Sequence, residues 1–272
     1  MMRMPIRFFS NRLSRVLMLA MVALLAGCAT GGMRINTDHS ARGQDSRIRY
    51  IVVHYTAGES ARALQVLTMG EVSAHYLIDN NASATIYQLV DESRRAWHAG
   101  ESEWEGRNSL NASSIGIELV NRGFQDTPQG RVWYPFPQSQ IDALIVLLKD
   151  IKQRQGIDGV NILGHSDVAP QRKLDPGPLF PWKQLADAGV IPWPPQALVD
   201  HRLSQLGGVV PPVSWFQEQL ARIGYTIEQT GEFDEQTKNV IAAFQMRYRQ
   251  SLYDGQPDLE TAAWLMSLPA PR

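Results

Sequence analysis

The spacing of apolar positions changes repeatedly along this chain, and each change predicts an element. Residues 49–56 are a β-branched and aromatic run that reads as a buried strand. Ala61, Leu64 and Leu67 suit a short helix over 61–68. Residues 74–79 and 85–90 read as two strands joined by the turn residues Asn80, Asn81 and Ser83. In 114–120, Ile115, Ile117 and Leu119 share one face by period two, which leaves Gly116, Glu118 and Val120 on the other. Ile141, Leu144, Ile145, Leu148 and Ile151 follow the helical period across 138–155, with Gly156 as the stop. Residues 159–164 form a short apolar run expected to be a buried strand. The stretch from Gly164 to Trp182 holds Pro170, Pro176, Pro178 and Pro181, so a long, stiff loop is expected. A short helix follows over 181–189, with Pro at its start and Gly at its end.

The C-terminal quarter has a different pattern. Proline breaks at 192–195 and 209–212 bracket a segment, 196–207, that suits either a short helix or an irregular connection. Three helices are then expected. The first has Ser214 as N-cap and Gly224 as stop; the second opens at 231–238; the third opens at Asp258. Asp234-x-x-Thr237 and Asp258-x-x-Thr261 repeat the same helix start.

The N-terminus has the form of an address. Arg3, Arg7, Arg12 and Arg15 appear without an acid, an apolar run covers 16–26, and small residues close it. That run is too short for a comfortable membrane span. Cys28, the single cysteine, follows Leu25-Ala26-Gly27, which resembles a bacterial lipobox. The expectation is a lipoprotein signal over 1–27, lipidation at Cys28 and a flexible tether over 28–46. A formal net charge of -1 gives no argument for nucleic acid. One cysteine also rules out an internal disulfide and any multi-cysteine zinc site, so a metal would need His and carboxylate ligands.

Candidate chemistry gathers at predicted strand ends and in the proline-rich loop. His54 and His165 each fall near the end of a strand, where α/β sheets place ligands. The loop adds Arg172, Lys173 and Asp175. His165 and Asp175 are read as metal ligands and Lys173 as a charge-stabilising group. Glu118, an acid in mid-strand, must face water, a partner or a site. Tyr55 and Thr56 should line a groove floor, and Arg172 could meet a peptide carboxylate. His75 and His98 leave three options open: a fourth ligand, a core histidine or a sugar contact, and they are assigned to substrate contact. Trp97 and Trp104 are candidates for stacking on sugars, although burial is the commoner fate of Trp.

Five stretches together resemble the N-acetylmuramoyl-L-alanine amidases that share a fold with peptidoglycan recognition proteins. They are residues 53–56, 73–76, 96–100 and 114–118, and Gly164-His165 with 173–177. With the lipobox, the likeness is nearest to Gram-negative outer-membrane lipoproteins of that family. The resemblance implies an α/β fold, a mixed central sheet flanked by helices, over 47–190. It implies one zinc ion on His54, His165 and Asp175, Glu118 as proton acceptor and Lys173 as partner of the reacting carbonyl. The three-helix pattern of 211–272, after a linker over 191–210, is similar to peptidoglycan-binding domains. The implied reaction is hydrolysis of the amide between muramic acid, or its anhydro form, and L-alanine, by a protein facing the periplasm. Two rivals remain at this point: a non-catalytic peptidoglycan-binding module of the same fold, and a zinc peptidase of the stem peptide.

Overall fold

The structure is a computed structural model that describes residues 35–269; the expected signal over 1–27 and Cys28 lie outside the described residues. Residues 35–45 carry no helix or strand and group apart from the body that begins at Ser46.

The body is built on a five-stranded sheet. Its strands are β1 (Tyr50–Tyr55), β2 (Tyr76–Ile78), β3 (Ile86–Gln88), β6 (Ser114–Leu119) and β9 (Ile162–Gly164), in the order β3-β2-β6-β1-β9. The β1–β6, β2–β6 and β1–β9 pairings are parallel, and β3 is antiparallel to β2 at one edge. The helices are α1 (Ser60–Met69), α2 (Gln138–Gln155), α3 (His165–Val168), α4 (Trp182–Asp187), α5 (Gln196–Gln205), α6 (Val213–Ile223), α7 (Glu235–Tyr248) and α8 (Leu259–Ser267). Two small hairpins complete the set: β4 (Glu103–Trp104) with β5 (Arg107–Asn108), and β7 (Phe124–Thr127) with β8 (Gly130–Trp133).

The sheet's two faces carry different cores because side chains alternate along each strand. Ile51, Val53, Ile115, Ile117 and Leu119 pack against Ile141, Leu144, Leu148 and Ile151 of α2. Removing each such side chain from water contributes roughly 1.5–3 kcal/mol. Tyr50 and Val52 point the other way and join one continuous core with Phe216, Leu220, Phe244 and Trp264 of the C-terminal helices. Those helices therefore share a core with the catalytic sheet.

Several expectations change in the structure. The segment expected as a linker over 191–210 is folded: α5 packs along α8, Val199 is buried, and Trp193 packs tilted against Tyr248 and edge-on to Trp264. Proline at 195 starts that helix, which resolves the ambiguity of 196–207. The stiff loop opens with one helical turn, α3, since its first proline comes only at 170. The strand before it is three residues, preceded by a 3₁₀ turn over Gly159–Asn161. Ser214 lies inside α6, whose N-cap position is Pro212. The Asp-x-x-Thr repeat is real. Asp234 and Asp258 each accept the N–H three residues on, from Thr237 and Thr261, at 2.7 Å. It extends further: buried Gln217 binds Gly231 N–H and the Thr237 hydroxyl, and buried Gln245 does the same with Gly255 and Thr261.

Candidate active site

Register places the first two site residues side by side. In the parallel β1–β6 pair, His54 lies opposite Glu118 and Val52 opposite Gly116. Both chemical groups therefore leave the same face of the sheet near its carboxyl edge. Strand β9 delivers His165 as the first residue of α3. The Ser166 N–H donates to the Asp175 carbonyl at 2.8 Å, which folds the proline-rich loop back so that Asp175 meets both histidines.

His54 Nδ1, His165 Nδ1 and Asp175 Oδ2 converge, with separations of 2.9, 3.1 and 3.0 Å. All three residues are buried. The outer ring nitrogens show which protons are present. The Ser114 hydroxyl donates to the Leu110 carbonyl at 2.6 Å, so its oxygen accepts from His98 Nε2–H at 3.2 Å. Burial, reinforced by the neighbouring histidines 54, 75 and 165, holds the His98 imidazole far below its ordinary range and hence neutral. His98 Nδ1 is then bare and accepts from His54 Nε2–H at 3.0 Å. Burial, followed by the charge of His165, lowers His54 to about 4 despite Asp175, so it too is neutral. Its Nδ1 therefore presents a lone pair to the cluster. His165 Nε2 meets the Ala99 carbonyl at 3.1 Å, the contact of an Nε2–H donor, so its Nδ1 is the nitrogen turned to the cluster.

Two imidazole nitrogens and a carboxylate oxygen, all buried and facing one another, make a donor set that could hold a metal ion. Ligand atoms around a tetrahedral ion with bonds of 2.0–2.1 Å stand about 3.3 Å apart, close to this triangle. The donor set fits one metal ion, and the hydrogen bonds behind each imidazole are the outer support such ligands need.

Glu118 lines the same groove, a concavity of about 560 Å³. Its Oε2 is buried and has no hydrogen-bond partner. Burial, then the negative charge of Asp175, pushes its carboxyl up to about 8, and Lys173 pulls it back. Lys173 lines the groove as well, and no ion pair holds it among the described residues.

The expected substrate contacts separate. Tyr55, Thr56, Arg172 and His98 line the groove. The Thr56 hydroxyl donates to the Gly58 carbonyl and accepts from Asn121 N–H, which ties the groove floor together. Arg172 Nε donates to the Glu101 carbonyl at 2.9 Å, and its guanidinium also reaches the Ala99 carbonyl. That arginine therefore clamps the loop that supports His165. His98 stands behind His54, fully engaged, so its place is that of a ring holder. His75 does not line the groove. It is buried, its Nδ1 accepts Gly116 N–H at 3.0 Å and its Nε2 meets the Arg94 carbonyl at 3.1 Å. That placement corrects the expected substrate contact, because both ring nitrogens serve the backbone. Trp97 is 50% exposed at the groove, whereas Trp104 is buried against Tyr225.

Other site features escaped the sequence. Gly116 makes room for His98: a Cβ there would lie 2.3 Å from the imidazole Cγ. Glycine inside a predicted strand is the available signal for such a close approach. Asn111 Oδ1 accepts both His98 N–H and Ala99 N–H. The β7–β8 hairpin brings Phe124 to the groove wall and Trp133 against Tyr55.

Comparison with known proteins agrees with this geometry. The N-acetylmuramoyl-L-alanine amidase family model matches residues 44–178, and a peptidoglycan binding domain model matches 210–265. The amidase AmiD of Escherichia coli (strain K12) is 43% identical over 259 residues, covering 90% of this chain and 94% of that protein. A solved structure of that AmiD, bound to anhydro-N-acetylmuramic acid-L-Ala-D-gamma-Glu-L-Lys, superposes with TM-score 0.81 at 42% identity, covering 88% of this chain and 95% of AmiD. AmpDh3 of Pseudomonas aeruginosa also gives TM-score 0.81, at 38% identity, with 87% and 97% covered. A groove that gathers His54 and Glu118 from the sheet with His165 and Asp175 from the segment after it, on a chain 43% identical to AmiD over 90% of its length, has one reading: this chain belongs to the N-acetylmuramoyl-L-alanine amidase family.

Proposed function

We propose that the chain is a zinc enzyme that hydrolyses the amide between the lactyl group of muramic acid, in its intact or anhydro form, and L-alanine of the stem peptide. The carrying observation is the triangle of His54 Nδ1, His165 Nδ1 and Asp175 Oδ2 beside the orphaned Glu118 Oε2. A set of two histidines and a carboxylate suits zinc. Bound there, zinc supplies Lewis acidity, which makes water acidic near neutral pH and polarises an amide carbonyl.

The chain's own groups supply the rest. Glu118 accepts a proton from the attacking water as its oxygen adds to the carbonyl carbon. The same carboxyl then gives that proton to the nitrogen of L-alanine as the C–N bond breaks. Burial weakens the preference of this carboxyl for its ionised form, which helps it to carry the proton between the two steps. Lys173 offsets the charge that develops on the carbonyl oxygen. Tyr55 and Trp97 offer aromatic surface along the groove to sugar and peptide. The experiment is mass analysis of products from a defined muramyl tripeptide. Free muramic sugar plus intact tripeptide is expected; a cut between two amino acids would overturn the reading.

We further infer an outer-membrane lipoprotein facing the periplasm and acting in wall turnover or remodelling, anchored through Cys28. The support is the basic, apolar and small-residue order of 1–28. No helix among the described residues is long and apolar enough to cross a membrane. Cys28→Ser should abolish labelling by radioactive palmitate and release the protein from the membrane fraction. Retention of label in that variant would remove the anchor from the account.

A further inference from the structure

Two of the three candidate ligands sit on the segment from His165 to Trp182, and the C-terminal helices grip that segment along its length. Gln171 donates to the Gln236 carbonyl at 3.1 Å and accepts from Asn239 at 3.0 Å. Gln250 donates to the Phe180 carbonyl at 2.7 Å. The deepest grip is on Asp167, two residues beyond His165 and 1% exposed. Asp167 Oδ2 accepts from Gly164 N–H at 2.8 Å and from Arg247 Nη1 at 3.0 Å. Its Oδ1 accepts from the Tyr225 hydroxyl at 2.5 Å. Arg247 Nη1 also donates to the Ile162 carbonyl at 3.0 Å, and the guanidinium lies 4.1 Å over the Trp182 ring.

A buried carboxylate is costly unless a cation and hydrogen bonds satisfy it. Among the described residues, the cation paired with Asp167 is Arg247, which α7 supplies. Asp167 in turn fixes the turn that points His165, and Ser166 N–H in that turn holds the Asp175 carbonyl at 2.8 Å. We propose that Arg247 and Tyr225 are positioning residues of the active site. Acting through Asp167, they hold the turn that aims His165 and Asp175 at the metal. The helical domain is then a structural part of the metal centre, in addition to whatever it binds. This rests on the ligand assignment given above.

The test is an equilibrium zinc dissociation constant for the full chain, measured by chelator competition well below the unfolding temperature. Folding of each variant is checked by circular dichroism. Arg247→Met should weaken zinc binding about tenfold, in the range seen when outer support of a ligand is lost. Arg249→Met is the control. Arg249 is equally buried at the end of the same helix, but its partners Asp254 and Asp258 lie within the helical domain. That variant should lose thermal stability and keep zinc affinity. Unchanged affinity in Arg247→Met, or equal losses in both variants, overturns the proposal in favour of a simple brace. If Arg247→Met does not fold, Tyr225→Phe removes one hydroxyl and should still weaken zinc binding measurably; no change overturns the proposal. His165→Ala separates the two layers of argument. Wild-type zinc affinity in that variant would refute the ligand assignment itself and not the coupling through Asp167.

Discussion

Gly116 and Glu118 stand two residues apart on β6 and shape the same face in opposite ways. Gly116 leaves a hollow for the His98 ring, which fixes the tautomer of His54. Gly116→Ala should therefore displace His98 and weaken zinc binding, with the metal content of the purified protein as the readout. Glu118 fills its place with a carboxyl pushed up to about 8. In the metal-free protein the sign of its linkage is definite. The folded carboxyl keeps its proton to a higher pH than the unfolded one, whose ordinary value is 4.5. Stability from this group is therefore full below 4.5 and declines as pH rises towards 8. Metal-free Glu118→Gln should match the wild type in melting temperature near pH 4 and exceed it near pH 8; a constant difference across that window would contradict the assignment. In the zinc-loaded enzyme the same substitution should retain metal and lower kcat by about 10²–10⁴-fold, the usual worth of a general base. His165→Ala should lose the metal outright, as elemental analysis would show. The residues themselves were largely legible: His54, Glu118, His165, Lys173 and Asp175 stand out by type and position in the chain. The roles of His75 and His98 were not, because a histidine's job depends on what each ring nitrogen meets, and those partners come from Gly116, Arg94, Ser114 and His54.

At the level of elements, periodic patterns proved reliable where one face is buried. The α2 helix spans Gln138–Gln155 as its apolar stripe predicts, and Gly156 closes it at φ 69°. Strand β6 alternates as expected, with Ile117 in the core shared with α2. Ile117→Ala should cost about 2–5 kcal/mol in chemical denaturation. The paired caps offer a finer check. Asp234→Ala and Asp258→Ala should each cost about 1 kcal/mol, and near-additive losses are expected because the caps begin different helices. The missed elements are short ones. The β4–β5 and β7–β8 hairpins hold two to four residues per strand, too few for a period to register. Helix α5 was ambiguous because its buried face rests on Val199 alone, with Trp193 just ahead of it packing on the C-terminal core.

Across the whole molecule, the sheet's two faces divide the work. One face packs on α2 and supplies stability; the other carries His54 and Glu118 at its edge and the C-terminal helices over the remainder. Metal binding should couple to folding of the entire body, since the proposed ligands come from β1, α3 and the following loop. Chelation should lower the melting temperature of the full chain in one transition, and excess zinc should restore it. A melt that splits into two steps on chelation would show that the C-terminal helices fold apart from the sheet. The sequence by itself determined the α/β character, the long helix, the repeated helix starts and the residue types of a metal hydrolase. These follow from local period, turn chemistry and side-chain identity. Tertiary structure alone decided which histidines converge with Asp175, what holds Asp167, and that the C-terminal helices share a core with the sheet. Each depends on pairs far apart in the chain, such as His54 with Asp175 and Asp167 with Arg247. No local pattern records such a pair; only strand register and the packing of one face of the sheet bring its members together.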